Sequence, residues 1–117
     1  MFTDCYLIYL LPRHGKTNQL ILSHKKVYAA DVGIKNLMTG FRDKGAVFEN
    51  LIFQKIKHRL PSYVYEDGVE IDFFTEDGCL IESKFGQTLN SKQQKLFDKF
   101  PAAEKKIIAG YQDFINF

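Results

Sequence analysis

A chain of 117 residues, 45% apolar and 15% aromatic, has enough for one domain with one core and too little for two. A formal net charge of +2 is close to neutral, so overall charge does not announce a nucleic-acid partner. No apolar run approaches the roughly 20 residues that a membrane span needs, and Phe2 to Leu11 is preceded by no basic region and followed by no small-residue cleavage site. Cys5 and Cys79 stand far apart without metal spacing, as in a cytoplasmic protein with two reduced thiols.

In chain order, Phe2 to Leu11 is rich in Tyr, Leu and Ile and predicts a strand, which Pro12, Arg13, His14 and Gly15 end. His14 to Thr17 reads H-G-K-T, but a P-loop needs a glycine five residues before the Gly of its Gly-Lys pair. Leu10 stands there, which excludes that motif. Lys25 to Ala30 predicts a second strand, and Asp31, Val32 and Gly33 lead into a short helix, Ile34 to Met38.

From Gly45 to Leu60 the pattern is helical: Ala46, Glu49, Phe53, Ile56 and Leu60 share one face with Ile52 alongside, while Lys55, Lys57 and Arg59 fall elsewhere. Glu49 stands out, because a carboxylate on an apolar stripe is costly unless it is paired or bound to metal. Capping a backbone group or pairing with Arg42 are its structural alternatives.

Tyr63 to Glu66 predicts a short strand, and Val69 to Lys84 a hairpin turning at Asp77-Gly78. Strict alternation sends Val69, Ile71 and Phe73 one way and Glu70, Asp72 and Phe74 the other, and it puts Glu82 and Lys84 on one face. Seven of the fourteen acids lie between Glu66 and Glu82, with no Lys or Arg from Leu60 through Ser83. Two carboxylates about 4 Å apart repel by roughly 4 kcal/mol at an effective dielectric near 20, so a fold that converges them supplies a cation or protonates one. Mg²⁺ accepts one or two carboxylates and keeps waters that can be delivered to a phosphodiester, and a lysine beside it can orient the attacking water. A surface ion pair on a half-exposed sheet is the structural alternative.

Phe85, Gly86 and Gln87 break the strand, and Ser91 to Gln94 carries an S-x-x-Q capping pattern that opens a helix to Phe100. Leu89, Gln93, Leu96 and Phe100 make its inner face; Lys92, Lys95 and Lys99 form a basic stripe, either a solvated face or a track for a nucleic-acid backbone. Gln93 either reaches a metal-bound water or bonds to backbone. Pro101 stops the helix, Lys106 to Tyr111 predicts a final strand, and Phe114 to Phe117 is apolar enough to pack back or meet a partner. The expected fold is a single α/β domain with a mixed sheet, the helix from Gly45 on one face and the helix from Ser91 on the other, preceded by a short N-terminal hairpin.

Asp72, Glu82, Ser83 and Lys84 resemble the D…(D/E)xK signature of the PD-(D/E)XK nuclease superfamily, with Ser83 at the free position. More narrowly, K-V-Y-A-A-D-V-G, G-A-V-F-E-N-L-I-F, G-V-E-I-D-F and L-I-E-S-K, taken in order, resemble the uncharacterised domain found carboxy-terminal to an AAA-type ATPase and winged helix in many bacterial and archaeal proteins. The resemblance runs from Leu7 to Tyr111; the one departure is Ile71 before the first acid, where the superfamily signature has a Pro that is often absent. It implies a restriction-endonuclease-like fold in which residues 1–40 are the tail of the winged-helix region and residues 41–117 the nuclease-like core. It further implies Mg²⁺ or Mn²⁺ held by Asp72 and Glu82 with the Ser83 carbonyl, Glu49 as a third acid at the ion, Lys84 positioning the nucleophile, and Glu70 as an accessory at the strand's mouth. The implied substrate is DNA and the implied partner an upstream ATPase module; with no Walker A motif, the chain is then a fragment or a stand-alone relative. The rival expectation is a catalytically silent interaction domain, and a third is a homodimer made through the apolar edge Tyr6 to Leu11.

Overall fold

The computed structural model describes residues 8–15, 26–29 and 44–117. The predicted helix Ile34 to Met38, the start of the first strand, Cys5 and Arg42 lie outside them. In chain order the elements are β1 Ile8–Leu11, β2 Lys26–Ala29, α1 Lys44–Ile56 with a 3-10 turn Lys57–Arg59, β3 Ser62–Glu66, β4 Val69–Phe74, β5 Cys79–Ser83, α2 Ser91–Lys99, β6 Glu104–Ile108 and α3 Tyr111–Asn116. β1 and β2 form an antiparallel pair, and the remaining strands form a mixed sheet in the order β3-β4-β5-β6 with only β5 and β6 parallel. The result is a single α/β domain, as the element pattern predicts.

Turn chemistry sets the antiparallel part. Asp67 and Gly68, with φ of 52° and 77°, make the two-residue turn from β3 to β4, where positive φ at both positions matches the twist of the strands. From sequence alone the hairpin turn falls at Asp77-Gly78, yet β4 and β5 are joined by the longer stretch Thr75 to Gly78, closed by Thr75 N–H donating to the Cys79 carbonyl at 2.9 Å. The fully buried Thr75 hydroxyl accepts from Cys79 N–H at 2.9 Å and donates to the Asp77 carboxylate. A parallel β5–β6 pair requires a crossover, and α2 supplies it. Its cap is Asn90, not Ser91: the Asn90 side chain accepts from Gln93 N–H at 2.8 Å and the Gln93 side chain returns the bond. Asn90 has extended backbone while Ser91 is already helical, so the capping box lies one residue earlier than the sequence pattern suggests.

The sheet is covered on both faces. On one, α1 contributes Phe48, Ile52, Phe53 and Ile56 to a cluster with Phe73, Ile81 and Ile108; on the other, Leu96, Phe97 and Phe100 of α2 meet Val64, Ile71 and Leu80. Leu11 and Tyr28 belong to the α1-side cluster, which ties the β1–β2 pair into the same core. Two edges of the predicted pattern move. After Ile56 the helix tightens to about three residues per turn, the phase of the apolar stripe is lost, and Leu60 ends in the left-handed region, 64% exposed instead of buried. The last strand stops at Ile108, and Tyr111, expected in it, opens α3, where Asp113 accepts from Ala109 N–H at 3.0 Å. Phe114 and Phe117 do pack back, each ring 4.7 Å from the Lys55 ammonium.

Strict alternation fails in β4. Val64 pairs with Ile71 and Ser62 with Phe74, so Asp72 and Phe73 together face the single residue Tyr63. This β-bulge inserts one residue and resets the phase. Ile71 and Phe74 therefore pack on the α2 side and Phe73 on the α1 side, which corrects the expectation that Ile71 and Phe73 share a face. Phe73 is fully buried beside Tyr28 and Phe53. Phe73→Ala is expected to cost about 3–5 kcal/mol in urea unfolding, the range for emptying an aromatic site in a core.

Candidate functional site

The bulge decides what Asp72 does. The β4–β5 ladder pairs Phe74 with Leu80 and Phe73 with Ile81 and goes no further. Beyond it, Asp72 N–H donates to Glu82 Oε1 at 3.1 Å, and Ser83 N–H donates to Asp72 Oδ2 at 2.9 Å. Two reciprocal bonds from backbone to carboxylate thus replace the missing ladder bonds and fix both acids at the point where the strands part.

Glu82 is 1% exposed, and its second oxygen, Oε2, is buried with no hydrogen-bond partner. Burial first, then hydrogen bonding to and charge on the Asp72 carboxylate, push the Glu82 carboxyl up to about 10; the Lys84 ammonium acts in the opposite direction. Two carboxylates held this close in a buried place cannot both keep their charge cheaply, which is why Glu82 is driven toward its neutral form.

On the other side of Asp72 stands Lys26. Its ammonium lies 3.1 Å from Glu49 Oε2, 3.2 Å from Glu70 Oε2 and 3.3 Å from Asp72 Oδ1. Rings of Tyr28, Phe73 and Tyr63 lie 5.5, 5.9 and 6.0 Å from it. Burial works against its charge, but the Asp72 and Glu49 carboxylates more than reverse this and hold the ammonium protonated well above the usual lysine range. Glu49 also accepts from the Tyr28 hydroxyl, and burial, followed by the charge on Asp72, raises its pKa. Burial and the Glu49 charge likewise raise that of Tyr28.

Asp72 therefore links two groups. Glu82 and the Ser83 amide hold one of its oxygens and its own amide; Lys26, with Glu49 and Glu70 around it, takes the other oxygen. Lys84 continues from β5, its N–H bound to the Ile108 carbonyl at 3.0 Å. Gln93 spends its side chain on the α2 cap, and Lys92, Lys95 and Lys99 are all exposed along that helix. Lys26 and Tyr28 are the functional candidates that sequence reasoning missed. Their signal was the alternation of Lys26, Val27 and Tyr28, which places a lysine and a tyrosine on one face of a short strand.

Among the described residues, no His, Cys, Asp or Glu side chains form a group of three or more that could hold a metal ion. A three-acid cage including Glu49 is not formed in this arrangement. The pair Asp72 and Glu82 fits a hard divalent cation that takes one or two carboxylates and otherwise water, and the unpartnered Glu82 oxygen is the observation that favours it.

No family model matches the chain, and no solved structure matches it. It is similar to an uncharacterized protein of Methanocaldococcus jannaschii, 31% identical over 109 residues, an alignment covering 84% of this chain and 24% of that protein. The chain thus spans about a quarter of the length of the relative it matches.

Because the native state raises the Glu82 pKa from 4.5 to about 10, it favours the protonated form. That contribution to stability is complete below the unfolded value and is lost as pH rises through the folded one. The stability of wild type relative to Glu82→Gln is expected to fall steadily as pH rises from 5 to 9, by at most about 1.4 kcal/mol per unit. Urea unfolding across that range checks this, and parallel curves would contradict it.

Proposed function

We propose that the chain is a divalent-metal-dependent phosphodiesterase domain of the PD-(D/E)XK type that acts on DNA. The observation carrying this is the Asp72–Glu82 pair: two carboxylates locked by each other's strand, one of them almost fully buried with an oxygen left free. Mg²⁺ or Mn²⁺ held there would supply Lewis-acid charge at a phosphoryl oxygen and a more acidic water. The chain's own residues do the rest. Asp72 and Glu82 offer the acidic oxygens, and the Ser83 amide keeps Asp72 turned toward its partner. Lys84, close enough for its charge to act on Glu82, orients the attacking water and opposes charge developing on the phosphate. Glu49 and Glu70 add negative potential beside the pair, and exposed Lys92, Lys95 and Lys99 offer contacts for a nucleic-acid backbone. The relative in Methanocaldococcus jannaschii extends well beyond the aligned part, which leaves room for the ATPase module that the motif resemblance implies.

A second reading, a silent nuclease-like interaction domain, has one observation in its favour: Lys26 already neutralises part of the acidic group without any added ion. Calorimetric titration with Mg²⁺ and Mn²⁺ separates the two. Wild type is expected to bind one ion saturably, and Asp72→Asn with Glu82→Gln to lose affinity by more than about a hundredfold, the upper end for removing even an outer-shell partner. Cleavage of duplex, branched and single-stranded DNA is expected to follow the same loss while circular dichroism stays unchanged. Turnover retained in the double variant would reject the assignment.

A further inference from the structure

Lys26 has no part in the chemistry just described, yet it stands against three carboxylates at once. It arrives from β2, outside the four-stranded sheet, and places one ammonium against three carboxylates at 3.1, 3.2 and 3.3 Å. An ammonium has three protons to donate, so these acids can take its whole capacity. One of them is Asp72, engaged through Oδ1, while the Ser83 amide holds Oδ2. Both oxygens of Asp72 are therefore engaged, while beside them the buried Glu82 Oε2 has no hydrogen-bond partner. Any cation drawn to Glu82 Oε2 and Asp72 together meets an oxygen that Lys26 already holds, and meets a like charge beside it.

We propose that Lys26 is a tethered internal cation that occupies Asp72 until a divalent ion displaces it, so that the β2 segment sets the metal affinity of the site. This rests on reading Asp72 and Glu82 as the metal-binding pair. Displacement does not require Lys26 to leave the neighbourhood, because Glu49, Glu70 and the rings of Tyr28 and Tyr63 remain as partners. Lys26 is thus a positioning residue: it acts through Asp72 and governs whether the pair is free to take an ion.

Two measurements on the whole chain test this. In the first, wild-type protein is acetylated with an amine-reactive ester, with and without saturating Mg²⁺, and labelling at Lys26 is read by mass spectrometry. Mg²⁺ is expected to speed Lys26 labelling several-fold in wild type and not in the Asp72→Asn, Glu82→Gln variant; unchanged labelling at saturation overturns the inference. In the second, Mg²⁺ is titrated into wild type, Lys26→Gln and Lys26→Arg. Removing a charge a few ångströms from the ion is expected to tighten binding at least about tenfold in Lys26→Gln, while Lys26→Arg stays as weak as wild type. Equal affinity in wild type and a folded Lys26→Gln overturns the role of Lys26 and leaves the metal site standing. Absence of binding in both overturns the metal site itself. Should Lys26→Gln fail to fold, the labelling of wild type decides alone.

Discussion

The single extra residue in β4 is the constraint on which the site depends. Because Asp72 and Phe73 share one partner position on β3, Phe73 can fill the core under α1 while its neighbour Ile71 fills the core under α2. The same offset ends the β4–β5 ladder one step short of Asp72 and leaves backbone donors that must find acceptors. Glu82 and Asp72 are those acceptors. Two acids are buried here because the backbone needs them, and their convergence follows from that need.

Convergence of acids creates an electrostatic debt that the fold settles in two ways. Glu82 is pushed toward its neutral form, chiefly by burial and then by Asp72. Asp72, Glu49 and Glu70 are offset by one lysine, whose ammonium also lies within 6.0 Å of the rings of Tyr28, Phe73 and Tyr63. Removing one member of this partly buried arrangement leaves the others less compensated, which is why Lys26 and the acids are better regarded as one unit than as separate pairs.

Much of this was legible in the residues, and the parts that were not have physical reasons. Asp72, Glu82 and Lys84 stand out because neighbouring strands bring them together and because they resemble the D…(D/E)xK signature. The layered α/β arrangement followed from helices whose apolar stripes were clear, as in Phe53 and Ile56 or Leu96 and Phe100. The bulge was invisible, since alternation is read one strand at a time and a bulge exists only relative to a partner. Leu60 leaves the predicted stripe because Pro61, directly after it, disfavours helical backbone at that position, a signal that apolar periodicity alone does not weigh. Lys26 was overlooked for a different reason: its partners lie 23 to 46 residues away, and no local pattern encodes a contact at that separation.

The segment after β1 has an effect of its own. Pro12 accepts from Tyr63 N–H at 3.0 Å and His14 donates to the Tyr63 carbonyl at 2.7 Å, so a short stretch of chain lies along the outer side of β3. The other outer strand, β6, has exposed Glu104 and Lys105 and a half-buried Lys106. A sheet rim invites another chain to add a strand. Here one rim of the four-stranded sheet is covered and the other is charged, and both features work against the addition of a further strand to this sheet.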